Sequence, residues 1–421
     1  MHNRKILTVA VAAALGSGFQ SLAFAQEDPE GAPIERTQAG NVEIYGKLYP
    51  EFTNAKSTGA TAAGTAVSTL QKVTPIGLDL MSRNSVDSLN SRLGFRGRED
   101  LGGGLRAVWQ IENQVPLDNG GSDGVLAKRD SFVGLGGGFG TVRLGNMDTV
   151  YKNTGDPIRF MGLASGNFVS TSNIISKAGI GTSSTSSFNL RQKNSVVYNS
   201  PQLGGVQVSA QYSPDETRTG NLNAYLASFG VSYRVGGLSV GLAHEIHNDF
   251  FGGSNNVPAA IANSTSGTTD VRSKDRATRA AVMYGFAATR IGLDVSQIEY
   301  KETGPIASGH FEDYKHKTWA LVWEQRWGGP WRTVVAYASS AAGTCSLAGG
   351  VACDTHGLNG KLIALGGEYS FSKRTALFVL AARLTNGESA TYNNLSQNPA
   401  APDVPTGADI TQIAFGVRHD F

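Results

Sequence analysis

In the segment SRLGFRGREDLGGGLRAVWQIE (residues 91–112), Leu93 and Phe95 alternate with Arg92, Arg96 and Arg98. After the glycine-rich turn EDLGGGL (99–105), Leu105, Ala107, Trp109 and Ile111 alternate with Arg106, Gln110 and Glu112. Successive side chains of a strand point to opposite faces, so the segment reads as a hairpin with one apolar and one charged face. The apolar face needs cover, and the arginines need water or counter-charge.

The same pattern extends in both directions. Val42, Ile44, Gly46, Leu48 and Phe52 oppose Asn41, Glu43, Tyr45, Lys47, Tyr49 and Glu51, and Val206, Val208, Ala210 and Tyr212 oppose Gln207, Ser209 and Gln211. At the far end, ITQIAFGVRHDF (410–421) puts Ile413, Phe415, Val417 and Phe421 on one face. Termini fray unless something holds them, so this strand is expected to pair. Short turns fall at 99–105, 135–140, 200–205, 234–238, 286–290, 327–331 and 371–375. Between them lie longer polar stretches near 54–88, 115–126, 147–190, 213–222, 248–275, 302–314, 340–358 and 387–408. Seven turns alternating with eight loops connect about sixteen strands.

The first 25 residues combine Arg4 and Lys5 with the apolar run ILTVAVAAALG and end in AFA. That is the pattern of a secretory signal cleaved after Ala25; the run is too short for a membrane span. Its removal takes away two basic residues and no acidic ones, so the formal charge falls from +2 to zero. No global charge excess remains to draw the chain to nucleic acid. Fifty-three glycines, fourteen prolines and no clear helical periodicity argue against a helical fold. Cys345 and Cys353, in GTCSLAGGVACDTHG, suit a disulfide across one exported loop better than a metal site, since only His356 lies near.

A soluble β-sandwich has no need for turns on one side and long loops on the other, nor for strand faces rich in arginine. A transmembrane antiparallel β-barrel accounts for both: short periplasmic turns, long external loops, an apolar band toward lipid and a polar interior. Closure leaves no unpaired edge, which hydrocarbon requires. Trp327 and Trp331 flank one turn, Trp319 and Trp323 continue on the same face, and Tyr198, Tyr212, Tyr369 and Phe371 sit near other turns, as an aromatic girdle would place them. The expected organisation is a signal (1–25), a polar extension (26–40) and an all-β barrel (41–421).

Four stretches, SRLGFRGREDLGGGLRAVWQIE (91–112), RDSFVGLGGGFGTVRLGN (129–146), NSVVYNSPQLGGVQVSAQYS (194–213) and the terminal GVRHDF, resemble the β-proteobacterial type of Gram-negative general porin. The resemblance runs in order through nearly all of the mature chain. It implies a sixteen-stranded barrel assembled as a homotrimer, with the third external loop folded into the pore. It also implies a C-terminal aromatic, here Phe421, read by the barrel-assembly machinery. The chain departs from the pattern in its extension QEDPEGAPIERTQAG, in YGKLYPEF of the first strand and in a long loop near 54–88.

Selective pores set charged side chains at a constriction. Arg92, Arg96, Arg106 and Arg143 all fall on the lumen phase; on the lipid face an arginine near the midplane costs roughly 2–4 kcal/mol. The third loop offers Asp148 and Asp156 as counter-charge, and carries Lys152, Arg159 and Lys177. The expected function is passive diffusion of ions and small hydrophilic solutes across the outer membrane, with weak to moderate anion preference. A surface adhesin or an outer-membrane hydrolase is the alternative. Neither a cofactor nor a metal is called for. GLSVG (237–241) matches a nucleophile-elbow pattern around Ser239 but lacks a strand–turn–helix setting. In HEIH (244–247) the two histidines, three apart on a strand, face opposite ways.

Overall fold

The computed structural model describes residues 42–120, 126–163, 167–181, 187–216, 220–250, 253–265, 268–395 and 404–421. The signal and extension expected at 1–25 and 26–40 lie outside the described residues. Nineteen strand segments form one antiparallel sheet that closes on itself. In chain order they are β1 (Val42–Leu48), β2 (Glu51–Thr58), β3 (Arg83–Asp87), β4 (Arg92–Gly102), β5 (Leu105–Gln114), β6 (Ser131–Gly137) and β7 (Gly140–Asp148). Next come β8 (Arg191–Asn199), β9 (Val206–Pro214), β10 (Tyr225–Val235), β11 (Leu238–Asn248), β12 (Arg272–Phe286) and β13 (Thr289–Thr303). The last six are β14 (Phe311–Arg326), β15 (Trp331–Ser340), β16 (Thr344–Leu347), β17 (Gly360–Ser370), β18 (Thr375–Asn386) and β19 (Asp409–Asp420).

Three wall strands are each drawn from two segments, which brings nineteen to sixteen. β1 and β2 both pair with β19 and are separated by Tyr49 and Pro50, whose missing N–H interrupts the ladder. β3 and β4 follow each other along the same neighbour. β16 carries the pairing of β14 outward beyond the end of β15. All seven short turns fall where the sequence places them. The tightest use residues such as Gly103 and Gly104, with φ of 60° and 79°, a region open to glycine.

The closure expected at the C-terminus is present. Phe421 and Gly46 exchange two backbone hydrogen bonds, of 2.9 and 3.0 Å, and Lys47 and Leu48 pair with Asp420 and His419. A Cβ on Gly46 would lie 2.4 Å from the Phe421 ring, so only glycine lets the ring lie across β1.

Phase along the strands is as read. Leu293, Val295, Leu321, Ile363, Leu365, Val379, Ile413 and Phe415 are exposed on the outer face, while their neighbours in sequence are buried or, at Gly366 and Gly416, half-buried. No helix among the described residues is long and apolar enough to cross a membrane; the strands do so. Trp331 packs edge-on against Tyr369, which contacts Phe371, at the turn side. Tyr212 is a correction to the girdle: it pairs with Tyr225 at the loop end of β9, not beside a short turn.

The inner face is not uniform. Around β14–β18 it consists of Ala320, Val322, Val334, Ala336, Ala338, Leu362, Ala364, Leu380 and Ala382. These are covered by Ile158, Phe160, Met161, Leu163, Phe168, Val169, Ile174 and Ile175 of the segment between β7 and β8. That segment contains two short helices, α1 (Val150–Thr154) and α2 (Ser172–Ile175). At the loop end, residues 59–82 reach across to other loops: Thr69 N donates to Asp354 O (3.1 Å), Ser68 N to Ser389 Oγ (2.8 Å) and Thr406 Oγ1 to Val73 O (3.0 Å). Cys345 and Cys353 form the expected disulfide, with Cα atoms 5.8 Å apart.

Candidate pore constriction

The four arginines expected at the eyelet all project from the inner face of β4, β5 and β7, at different heights. Register pairs Arg92 with Gln114, Arg96 with Gln110 and Asp100 with Arg106. Arg106 is level with Gly136, and Arg143 pairs with Gly134 one inward step away. From Arg106 to the level of Arg92 is eight residues of β5, on the order of 26 Å of strand. They make a ladder along the wall, not a ring.

Two of them have carboxylate partners from neighbouring strands. Arg92 Nε lies 3.6 Å from Glu112, which also pairs with Arg129 and accepts a hydrogen bond from Tyr45 OH (3.1 Å). Arg96 grips Glu43 with two bonds of 2.8 Å and stacks 4.8 Å above the Tyr45 ring. Such paired guanidinium–carboxylate contacts fix orientation as well as charge. Arg143 donates to Asn199 Oδ1 (2.8 Å) and lies over Phe132. Arg106 is exposed near the turn end, where a Cβ on Gly136 would come within 3.0 Å of its Nε.

Asp148 and Asp156 meet other cations. Asp148 accepts from Lys152 (2.9 Å) and Arg191 (2.9 Å), and Arg191 also reaches Asp130 (2.5 Å). Asp156 is 3.8 Å from Arg279, which is fully buried, held by Asp294 and stacked over Tyr151. Gly155 is required at this contact. A Cβ there would sit 1.6 Å from the Arg279 guanidinium carbon, so only glycine lets the backbone cross it. Burial pushes the Tyr151 phenol up to about 12 and lowers the Lys152 ammonium. Burial raises the Asp130 carboxyl, as does the nearby Asp148 charge.

Where the segment between β7 and β8 meets β4 and β5, charges gather. Arg159 lies within electrostatic reach of Arg92, and Arg129 within reach of both Arg92 and Asp148. The cations are Arg92, Arg129, Lys152, Arg159 and Arg191; the anions are Glu112, Asp130, Asp148 and Asp156, which lines one cavity with Lys152 and Arg159. Five against four leaves one positive charge in excess. The sequence reading missed Arg129, Arg191, Glu112 and Asp130 as a unit. Their signal was weak: each lies on or next to a lumen-phase strand end, but register alone brings them together.

A second charged feature runs round the turn side of the wall. Arg290 pairs with Glu324 (2.6 Å), Arg332 lies between Glu324 (3.9 Å) and Glu368 (3.8 Å), and Arg418 between Glu368 (3.4 Å) and Asp420 (3.5 Å). Lys47 completes it, 4.0 Å from Asp420, and its ammonium also donates to the Gly162 carbonyl. Signs alternate along this belt, so it cross-links neighbouring strands and adds little net field.

The enzyme-like motifs have no catalytic setting. Ser239 lies within β11. His244 is outward with Thr278 (2.9 Å), and His247 is buried inward beside Glu245 (2.8 Å), so the two cannot share a ligand. Among the described residues no group of three or more His, Cys, Asp or Glu side chains could hold a metal ion.

A family model described as Gram-negative porin matches residues 8–389. The major outer membrane protein P.IB of Neisseria gonorrhoeae is 29% identical over 307 residues, covering 73% of this chain and 81% of that protein. Its counterpart in Neisseria meningitidis serogroup B is 28% identical, over 74% of this chain and 81% of that protein. Among solved structures, an anion-selective porin from Comamonas acidovorans superposes with a TM-score of 0.66 at 23% identity, covering 91% of this chain and all of that one. A trimer form of OmpT from Vibrio cholerae gives 0.58 at 17% identity, over 91% of this chain and all of that one. Taken with the closed sixteen-stranded wall, the extent of the family match places this chain in the outer membrane as a member of the Gram-negative porin family.

Proposed function

We propose that the segment between β7 and β8 lies in the lumen and narrows it, and that the pore passes small hydrophilic solutes with a weak to moderate preference for anions. The supporting observation is the excess of Arg92, Arg129, Lys152, Arg159 and Arg191 over Glu112, Asp130, Asp148 and Asp156 in and beside that segment. A basic patch facing a narrow aqueous path lowers the barrier to an anion and raises it for a cation. The Comamonas acidovorans porin, described as anion-selective, has the same fold. Diffusion is passive and requires no cofactor. The trimer form of the Vibrio cholerae relative supports a homotrimer here. We assign Phe421 to the barrel-assembly machinery and residues 1–25 to a cleaved signal.

The test is a planar-bilayer recording of mature protein in a KCl gradient. A chloride-directed reversal potential is expected, moving toward the cation side in the Arg92→Ala/Arg159→Ala variant. A cation-directed potential in the unaltered protein would overturn the anion assignment. Folded protein without conductance would overturn the channel itself.

A further inference from the structure

On the inner face of β2 and β3, Glu51 and Asp87 stand directly opposite each other in the ladder. Both are buried, with 3% and 2% of their surface exposed. Directly opposed residues of an antiparallel pair have Cβ atoms about 5 Å apart, and two like charges there repel. Glu112, Glu324 and Glu368, buried on the inner face of other strands, each lie against an arginine. Neither Glu51 nor Asp87 forms an ion pair among the described residues. The inward cation of β3, Arg83, stands level with Ala55, four residues along the strand from Asp87.

Hydrogen-bond donors do not take the place of a cation. Glu51 Oε1 accepts from the Asn167 side chain (3.3 Å), while Glu51 Oε2 is buried without a hydrogen-bond partner. Asp87 Oδ2 accepts from the Ser85 hydroxyl (2.8 Å). One inward step along β2 lies Thr53, 1% exposed, whose Oγ1 is also unpartnered. Diagonally across on β19, Gln412 donates its amide to the Asn394 carbonyl (2.8 Å). Gln412 Oε1 and Asn394 Oδ1 are buried with no donor to either. A buried face so rich in unanswered oxygens calls for a positive charge.

We propose that Glu51 and Asp87 bind a calcium ion, with Thr53 Oγ1 as a neutral ligand and water completing the shell. The ligand atoms are all oxygens, which suits a hard cation rather than zinc or copper. Calcium accepts an irregular shell of roughly six to eight oxygens, whereas magnesium demands a near-octahedral one. The ion clamps β2 to β3 and holds Glu51 in place as the acceptor for Asn167. It thereby fastens one end of the segment between β7 and β8 to the wall. The two carboxylates gave no metal signal in the sequence, because only register sets them side by side. The site does not depend on the anion preference of the pore.

Purified mature protein in detergent would be stripped with EDTA, desalted and titrated with CaCl2 by calorimetry. One calcium per chain is expected, with a Kd of about 0.1–1 mM, the range of extracellular sites. Binding is expected to weaken roughly tenfold or more in the Glu51→Gln/Asp87→Asn variant. A turn-side control, Glu99→Gln/Asp100→Asn, is expected to bind as the parent does. Calcium should also slow protease cleavage within residues 167–181 of the parent and make no difference in the double variant. No binding by the parent, as two carboxyl groups sharing a proton would give, overturns the proposal. So does an unaltered double variant or an equal loss in the control. Binding without protection overturns the fastening of the segment. Should the double variant not fold, Asp87→Asn alone carries the same comparison. Calorimetry needs no open pore, so failure here is separate from failure of the channel reading.

Discussion

The wall has two unlike arcs. From β1 to β8 the inner face is polar and charged, and its arginines meet glutamates from the next strand. From β14 to β18 the inner face is mainly small and apolar, and a loop covers most of it. The outer faces of both arcs are equally apolar, because lipid surrounds both. A strand apolar on one face only borders water inside the barrel. A strand apolar on both faces has a protein partner there. The alanines matter for shape as well: with short side chains on the wall, the covering segment sits close to it, while its other side reaches the charged arc through Gly162 to Lys47 and Asn167 to Glu51.

The arcs can be pulled apart, beginning with the largest effect. Ile174 is fully buried in the covering segment. Ile174→Asp places an unpaired carboxylate among alanines, and should cost roughly 3–5 kcal/mol of docking. Single-channel conductance is expected to rise and protease cleavage to appear within residues 167–181, while the barrel stays closed. Unchanged conductance and cleavage would show that the apolar cover does not hold the segment.

Lys177 sharpens the contrast from the other side. Its ammonium is buried, with the Asn173 side chain (3.2 Å) and the Asn393 carbonyl (3.4 Å) as acceptors. Burial lowers it to about 8. A lysine whose folded value is depressed destabilises the folded state below that value, and the cost is relieved as pH rises from about 8 toward its ordinary value. Lys177→Met should therefore stabilise the protein by about 2–3 kcal/mol at neutral pH and flatten the stability profile between pH 8 and 10, read by denaturant unfolding.

At the seam between the arcs, Gly155→Ala forces the loop off Arg279. A loss of about 1–3 kcal/mol is expected, with altered conductance as the visible sign. The smallest effect lies far from the lumen. Ala287, in the turn joining β12 to β13, has φ of 47°. Ala287→Gly should stabilise by about 1 kcal/mol without changing conductance; a loss of stability would mean the turn is not strained.

Much of this fold was legible because a period of two survives everywhere in the wall, and because glycine-rich turns alternate with polar loops. The lumen phase of Arg92, Arg96, Arg106 and Arg143 was readable for the same reason. Their heights and partners were not. Whether Arg92 meets Glu112 depends on register, and a shift of one residue would turn every side chain to the other face. The covering segment was hardest. Its apolar residues are scattered through serine, threonine and asparagine with no period, so composition suggested a polar loop. The available signal lay in the wall: WALVW (319–323) and VVAYA (334–338) are apolar on both faces, which asks for an inner partner.

The contact between Gly46 and Phe421 also sets the order of events in assembly. β1 and β19 are neighbours in the wall and lie at opposite ends of the described chain, so the seam cannot form until β19 has been delivered. Until then every strand that emerges earlier has apolar surface and an unmated edge, and a ladder begun in the middle cannot complete itself. Long-range pairing of this kind is slow because chain entropy is lost before contacts repay it. The unfolded intermediate is therefore long-lived by construction, and its safe keeping before insertion is as much a requirement of this architecture as the shape of the finished channel.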